Sequence, residues 1–102
     1  MNFDMIDRDF DCCSFFKAVG DPNRVKIMML LARRELSVSE ICAHFKMKQP
    51  SISHHLSVLK GARIVESRKE GKEVFYRLNA CCVSSCCSDF MKRFMGQEGD
   101  AR

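Results

Sequence analysis

Residues 37 to 61 read Ser37-Val-Ser-Glu-Ile-Cys-Ala-His-Phe-Lys-Met-Lys-Gln-Pro-Ser-Ile-Ser-His-His-Leu-Ser-Val-Leu-Lys-Gly61, and this stretch decides the fold. Ser37 and Glu40 stand three apart, the spacing at which the two side chains satisfy each other's backbone donors at a helix start. A helix therefore opens at Ser37, with Ile41 and Phe45 on its inner face. Lys46 to Gln49 make a turn, with Gln49 as the cap of the next helix and Pro50 in its first turn, where a missing N–H costs nothing. Ile52, Leu56 and Leu59 then recur at helical spacing as one buried stripe. The opposite face carries Ser51, Ser53, His54, Ser57 and Lys60. Short hydrogen-bonding groups suit close approach to base edges, and the major groove of DNA is wide enough to admit a helix. Gly61 ends the helix. Helix, tight turn, helix is the shape by which small domains read DNA.

A hairpin follows. Ile64 to Arg68 and Glu73 to Leu78 flank the turn Lys69-Glu-Gly-Lys72, and Val74, Tyr76 and Leu78 alternate as a strand with one buried face requires. Gly71 supplies the turn residue. Arg68, Lys69 and Lys72 crowd the tip, in reach of phosphate or of a neighbouring minor groove. On the other side, a first helix spans about Phe10 to Val19 and stops at Gly20. Asp21 caps a second helix that has Pro22 at its first position, an inward stripe of Val25, Met28, Met29 and Ala32, and Arg33 and Arg34 in its last turn. A last helix runs from about Cys81 to Met95, with Val83, Phe90 and Phe94 as apolar anchors. The expected architecture is mainly α, a winged helix-turn-helix of five helices with one β-hairpin wing. Residues 10–95 form one DNA-binding and dimerisation domain, between a flexible segment at 1–9 and a disordered tail at 96–102.

A chain of 102 residues makes one domain with a modest core. Such a small domain gains from burying more surface in a dimer, and the Phe15-Phe16 pair is expected in that interface. Asp4, Asp7, Asp9 and Asp11 make the start acidic, whereas Lys46 to Arg77 holds eight bases against Glu66, Glu70 and Glu73. A local basic field points to a polyanion partner, here double-stranded DNA. No apolar run is long enough to span a bilayer and no secretory leader is visible, so a cytoplasmic protein is expected. His54 and His55 sit on the groove-facing helix, and neither a glycine-rich phosphate loop nor a cysteine–histidine constellation appears. An enzyme is not expected.

Seven cysteines include three adjacent pairs, Cys12-Cys13, Cys81-Cys82 and Cys86-Cys87, all outside the helix-turn-helix. In a reducing compartment such thiols bind metal or do redox chemistry more often than they form structural disulfides. Cys82 and Cys86, four apart, share a helix face. The expected metal-site residues are Cys12, Cys13, Cys81, Cys82, Cys86 and Cys87, drawn together where the first and last helices meet, within or across subunits.

The stretches Phe16-Lys-Ala-Val-Gly-Asp-Pro-Asn-Arg-Val-Lys-Ile27, Gln49-Pro-Ser-Ile-Ser-His-His-Leu-Ser-Val-Leu59 and Gly71-Lys-Glu-Val-Phe-Tyr-Arg-Leu78 resemble the ArsR/SmtB family of bacterial metal-responsive repressors. The resemblance implies a homodimeric winged helix-turn-helix protein, with an interface built by the first and last helices. Such a dimer represses its operon until a metal or metalloid binds. It also implies recognition positions at Gln49, Ser51, Ser53 and His54. Many arsenic and cadmium sensors of the family carry Glu-Leu-Cys-Val-Cys-Asp-Leu-Cys where this chain has Glu35-Leu-Ser-Val-Ser-Glu-Ile-Cys42. Serine hydroxyls are poor ligands for soft ions, so that site is expected to be absent and Cys42 to be a core residue. The family's zinc sensors use carboxylates and histidines on the last helix, where this chain has only Asp89. Its persulfide sensors pair a cysteine in the second helix with one in the last, and the second helix here has none.

The flanking thiols remain. Soft thiolates select thiophilic ions, and sites that offer sulfur alone place arsenite, As(III), first as the inducer. Sb(III), Cd(II), Pb(II), Zn(II) or copper(I) are alternatives, as is a thiol-based redox switch on the same scaffold.

Overall fold

The computed structural model describes residues 10–92, with side chains from Ser14 onward. The expected flexible start, the tail, Phe94 and the far end of the last helix lie outside the described residues. The described elements are α1 (Phe10–Ala18), α2 (Pro22–Leu31), β1 (Leu36–Ser37), α3 (Val38–Cys42), α4 (Gln49–Gly61), β2 (Val65–Glu70), β3 (Glu73–Leu78) and α5 (Ala80–Met91). The expected five helices and the hairpin are all present. β1 is an addition to the expected elements. Two residues are too few to show the alternation that betrays a strand, yet Leu36 pairs with Tyr76 and Ser37 with Phe75. The result is a three-stranded antiparallel sheet in the order β1-β3-β2.

Local chemistry sets the helix starts. Asp21 accepts from the backbone N–H groups of Asn23 (2.8 Å) and Arg24 (3.4 Å), and so caps α2. Ser37 Oγ accepts from Glu40 N (3.1 Å) while Glu40 Oε1 accepts from Ser37 N (2.8 Å), the expected reciprocal box. At α4 the cap is Lys48 rather than Gln49. It makes no side-chain cap bond, and Gln49 is the first helical residue. The turn after α4 departs from expectation too. Gly61 is still helical, and the left-handed residue is Arg63 (φ 66°). Arg63 N–H bonds to Lys60 O and Ile64 N–H to Leu59 O, the paired closure of a helix end that usually recruits glycine.

One core joins the elements. Ile27, Ile41, Ile52, Leu56, Leu59 and Ile64 are wholly buried, with Phe15, Leu31, Leu36, Val65 and Cys86 nearly so. The stripe on α4 is as expected. That on α2 is not, because Ile27 and Leu31 face inward while Val25, Met29 and Ala32 are exposed. Residues 27–31 are apolar without interruption, so helical spacing alone fits more than one inward stripe. Arg33 and Arg34 follow the C-cap Ala32 instead of lying in the last turn. Phe45 lies beyond the end of α3, half-buried, with Lys26 Nζ 5.0 Å from its ring centre. Phe15 belongs to the protomer's own core, whereas Phe16 stays exposed and meets Phe90 of α5 with ring centres 4.9 Å apart. α1 thus packs along α5. Among the described residues, no helix is long and apolar enough to cross a membrane.

Candidate nucleic-acid interface

Burial of Ile52, Leu56 and Leu59 fixes the rotation of α4 and turns its other face outward. Gln49, Ser51, Ser53, His54, Ser57 and Lys60 are all exposed on it, so every position expected to address DNA from this helix is accessible. His55 is half-buried and points to α2, with Arg24 Nη1 3.3 Å from its Nδ1. Arginine can only donate, so Nδ1 accepts and His55 is engaged inside the protomer.

The wing presents Lys69 and Lys72 at an exposed tip, with Gly71 at φ 63° in its turn. Arg68, expected beside them, is committed elsewhere. Its Nε and Nη2 donate to the two Glu35 oxygens (3.0 and 2.8 Å), and Nη1 donates to Glu70 Oε1 (2.6 Å). The guanidinium lies 4.7 Å from the Phe75 ring centre. Arg68 is paired with Phe75 across the hairpin, and Phe75 with Ser37 of β1. The side chain therefore reaches over the middle strand to the residue just before β1. The hydrogen bond from Arg68 is the main influence holding the Glu35 carboxyl below its usual range. In return, Glu35 first and Glu70 second hold Arg68 firmly protonated. Nothing in the local sequence marks Glu35 as the partner of a residue so distant along the chain. Arg77 makes a second ion pair on the sheet, with Glu66 at 2.8 Å.

The described thiols split by depth. Cys86 is buried and Cys82 half-buried, with Cys82 Sγ 3.8 Å from Ala62 O. They share one face of α5, as their four-residue spacing requires, and that face is turned to the core. Cys81 and Cys87 are exposed, and successive helical residues point about 100° apart. Cys42 is half-buried against the core, as expected of a packing residue. Cys12 and Cys13 belong to α1, one turn before Phe16, and their side chains lie outside the described residues. Among the described residues, no three of His, Cys, Asp or Glu gather closely enough to hold a metal ion. The thiols of α5 alone therefore do not fit a three-sulfur site within one protomer.

Residues 21–67 match the model of the bacterial regulatory protein, arsR family. The chain is 42% identical over 64 residues to the transcriptional repressor SdpR of Bacillus subtilis, covering 63% of this chain and 71% of that relative. It is 36% identical over 66 residues to an arsenical resistance operon repressor of Staphylococcus xylosus, covering 65% of this chain and 64% of the relative. An ArsR-like transcriptional regulator from Rhodococcus sp. RHA1 superposes with a TM-score of 0.76 at 29% identity, over 90% of this chain and 85% of that one. An exposed polar helix on an apolar seat, beside a basic wing, defines a winged helix-turn-helix transcription regulator rather than an enzyme. The chain belongs to the arsR family.

Proposed function

We propose that the protein is a homodimeric repressor of its own operon, released from operator DNA when trivalent arsenic binds cysteine thiolates of α1 and α5. The operator-reading set is Gln49, Ser51, Ser53, His54, Ser57 and Lys60 on α4, with Lys69 and Lys72 on the wing. The observation that carries the inducer reading is the packing of α1, which bears Cys12 and Cys13, along α5, which bears Cys81, Cys82, Cys86 and Cys87. A three-sulfur set then draws on both helices, in one subunit or across two. Arsenite stands first because the flanking pairs offer sulfur alone and because relatives include arsenical resistance repressors. A ligand that favours the weakly binding dimer by about 3 kcal/mol lowers DNA affinity roughly 100-fold.

The test is fluorescence anisotropy on the DNA upstream of the protein's own operon, with arsenite, antimonite, cadmium, lead, zinc and peroxide added separately. The variant with all six flanking cysteines replaced by serine should bind the operator and ignore arsenite. Release of that variant by arsenite would sink the thiol reading, and release by peroxide alone would replace arsenite with a redox signal.

A further inference from the structure

A cavity of about 420 Å³ opens between the C-terminal half of α4 and the corner where α1 hands over to α2. Lys17, Arg24 and His54 line it, together with Ser14, Val58 and Gly61, and among the described residues no carboxylate does. The larger hollow on the sheet, about 610 Å³, has Glu35 and Glu66 facing Arg68 and Arg77, so its charges cancel in pairs. Among the described residues, the first of these two is lined by cations without a lining carboxylate.

Its cations are arranged rather than merely near. Arg24 Nε donates to Ala18 O at 2.6 Å and Nη1 faces His55 Nδ1 at 3.3 Å, which fixes the guanidinium between α1 and α4. Asp21 caps α2 with its carboxylate and also lies close enough to interact with the charge on Arg24, so Lys17 carries the positive charge that is left over. Lys17 and His54 are exposed, and neither has an ion-pair partner among the described residues. A helix that reads the major groove does so mainly with its N-terminal residues. Docked in that way, residues 58 to 61 of α4 would lie past the base-reading end, towards the flanking sugar-phosphate backbone.

We propose that this cleft seats a backbone phosphate of the bound duplex, with Lys17 and Arg24 supplying positive charge and His54 a hydrogen bond. The inference rests on the operator-binding reading and adds Lys17 and Arg24 to its contacts. Phosphate contacts fix register and orientation without reading sequence. The Lys17 and Arg24 contacts therefore govern how firmly α4 is held, not which bases it prefers.

The experiment is a salt series on the full chain, wild type and Lys17→Gln, against the operator and an unrelated duplex. Lys17 is an exposed helical position, so the variant folds, and an unchanged melting temperature verifies it. Removing one cation from a phosphate flattens the plot of log affinity against log salt by about 0.9. Lys17→Gln should show that flattening once per protomer and weaken both duplexes by the same factor. Arg24→Lys, which keeps the charge but not the fixed fork, should retain the salt slope while weakening binding. An unchanged slope for Lys17→Gln overturns the proposal, whether or not the free protein takes up inorganic phosphate. So does a weakening confined to the operator. Wild-type protein without salt-dependent duplex binding would instead sink the regulator reading itself, so the two failures are distinct.

Discussion

Arg68 holds both carboxylate oxygens of Glu35, at 3.0 and 2.8 Å, from the far side of the strand that separates them. The pair adds a side-chain tie between the hairpin and the short strand that leads into α3, beside the backbone pairing of β1 with β3. Glu35→Gln decides what Arg68 does. A free phosphate contact would gain from removal of a nearby negative charge, and operator affinity would rise. A strap would slacken, and affinity would fall despite that electrostatic gain. We expect a fall, limited to about fivefold because the pair is exposed. Anisotropy on the operator at fixed salt reads the sign directly.

Acid should loosen the same strap, but only well below neutrality. Glu35 sits below its ordinary 4.5 chiefly because Arg68 donates to it. Burial pushes Asp21 upward, but the backbone N–H groups of Asn23 and Arg24, then the nearby His55 and the charge on Arg24, outweigh it, leaving it below 3.8. A depressed carboxyl contributes stability fully above its unfolded value and loses it as pH falls through the lower folded value. Between pH 6 and 9 these two groups should therefore leave the melting temperature flat. Below about pH 4.5 the gap between wild type and Glu35→Gln should close. A gap that instead closes on the alkaline side would contradict these assignments.

Legibility in the sequence follows contrast. On α4, Ile52, Leu56 and Leu59 stand among serines, histidines and a lysine, so one stripe is readable and the outward face comes with it. On α2 the run Ile27 to Leu31 offers no contrast, and of the expected inward stripe only Met28 packs against the core. β1 escapes notice because two residues carry no period. The strap escapes for another reason. Glu35 and Arg68 are 33 residues apart, and only the pairing of β1 with β3 brings them within reach. Of the thiols, the four-residue spacing of Cys82 and Cys86 predicts their common face, but neither that this face is inward nor that Cys86 is the deeper.

That depth difference gives a kinetic prediction. In the folded protein under reducing conditions, diluted until monomeric, a maleimide should label Cys81 and Cys87 rapidly and Cys86 only after local opening, with Cys82 and Cys42 between. Peptide mapping by mass spectrometry gives the order. The same burial separates two substitutions. Cys87→Ser should be neutral in stability, whereas Cys86→Ser puts a hydroxyl against an apolar core and should cost about 1–2 kcal/mol. Equal labelling of Cys86 and Cys87 would mean that α5 does not pack as described.

Arg63 offers a gain in stability from a substitution. It ends α4 in the left-handed region at φ 66°, with its N–H on Lys60 O and the Ile64 N–H on Leu59 O. Ile64 and Leu59 are both wholly buried, so the chain must make this turn whatever residue occupies the position. A side chain with a Cβ is strained there by about 1–2 kcal/mol. Glycine removes the strain but adds roughly 0.5–1 kcal/mol of unfolded-state entropy. The two terms leave Arg63→Gly ahead by a few tenths to about 1 kcal/mol, a rise in melting temperature of about 2–6 °C for a domain this size. Arg63→Ala, which keeps the Cβ, should show no such rise. A scan of the three proteins by thermal unfolding separates relief of backbone strain from any effect of the missing charge, because both variants lack the charge and only one is free of the strain.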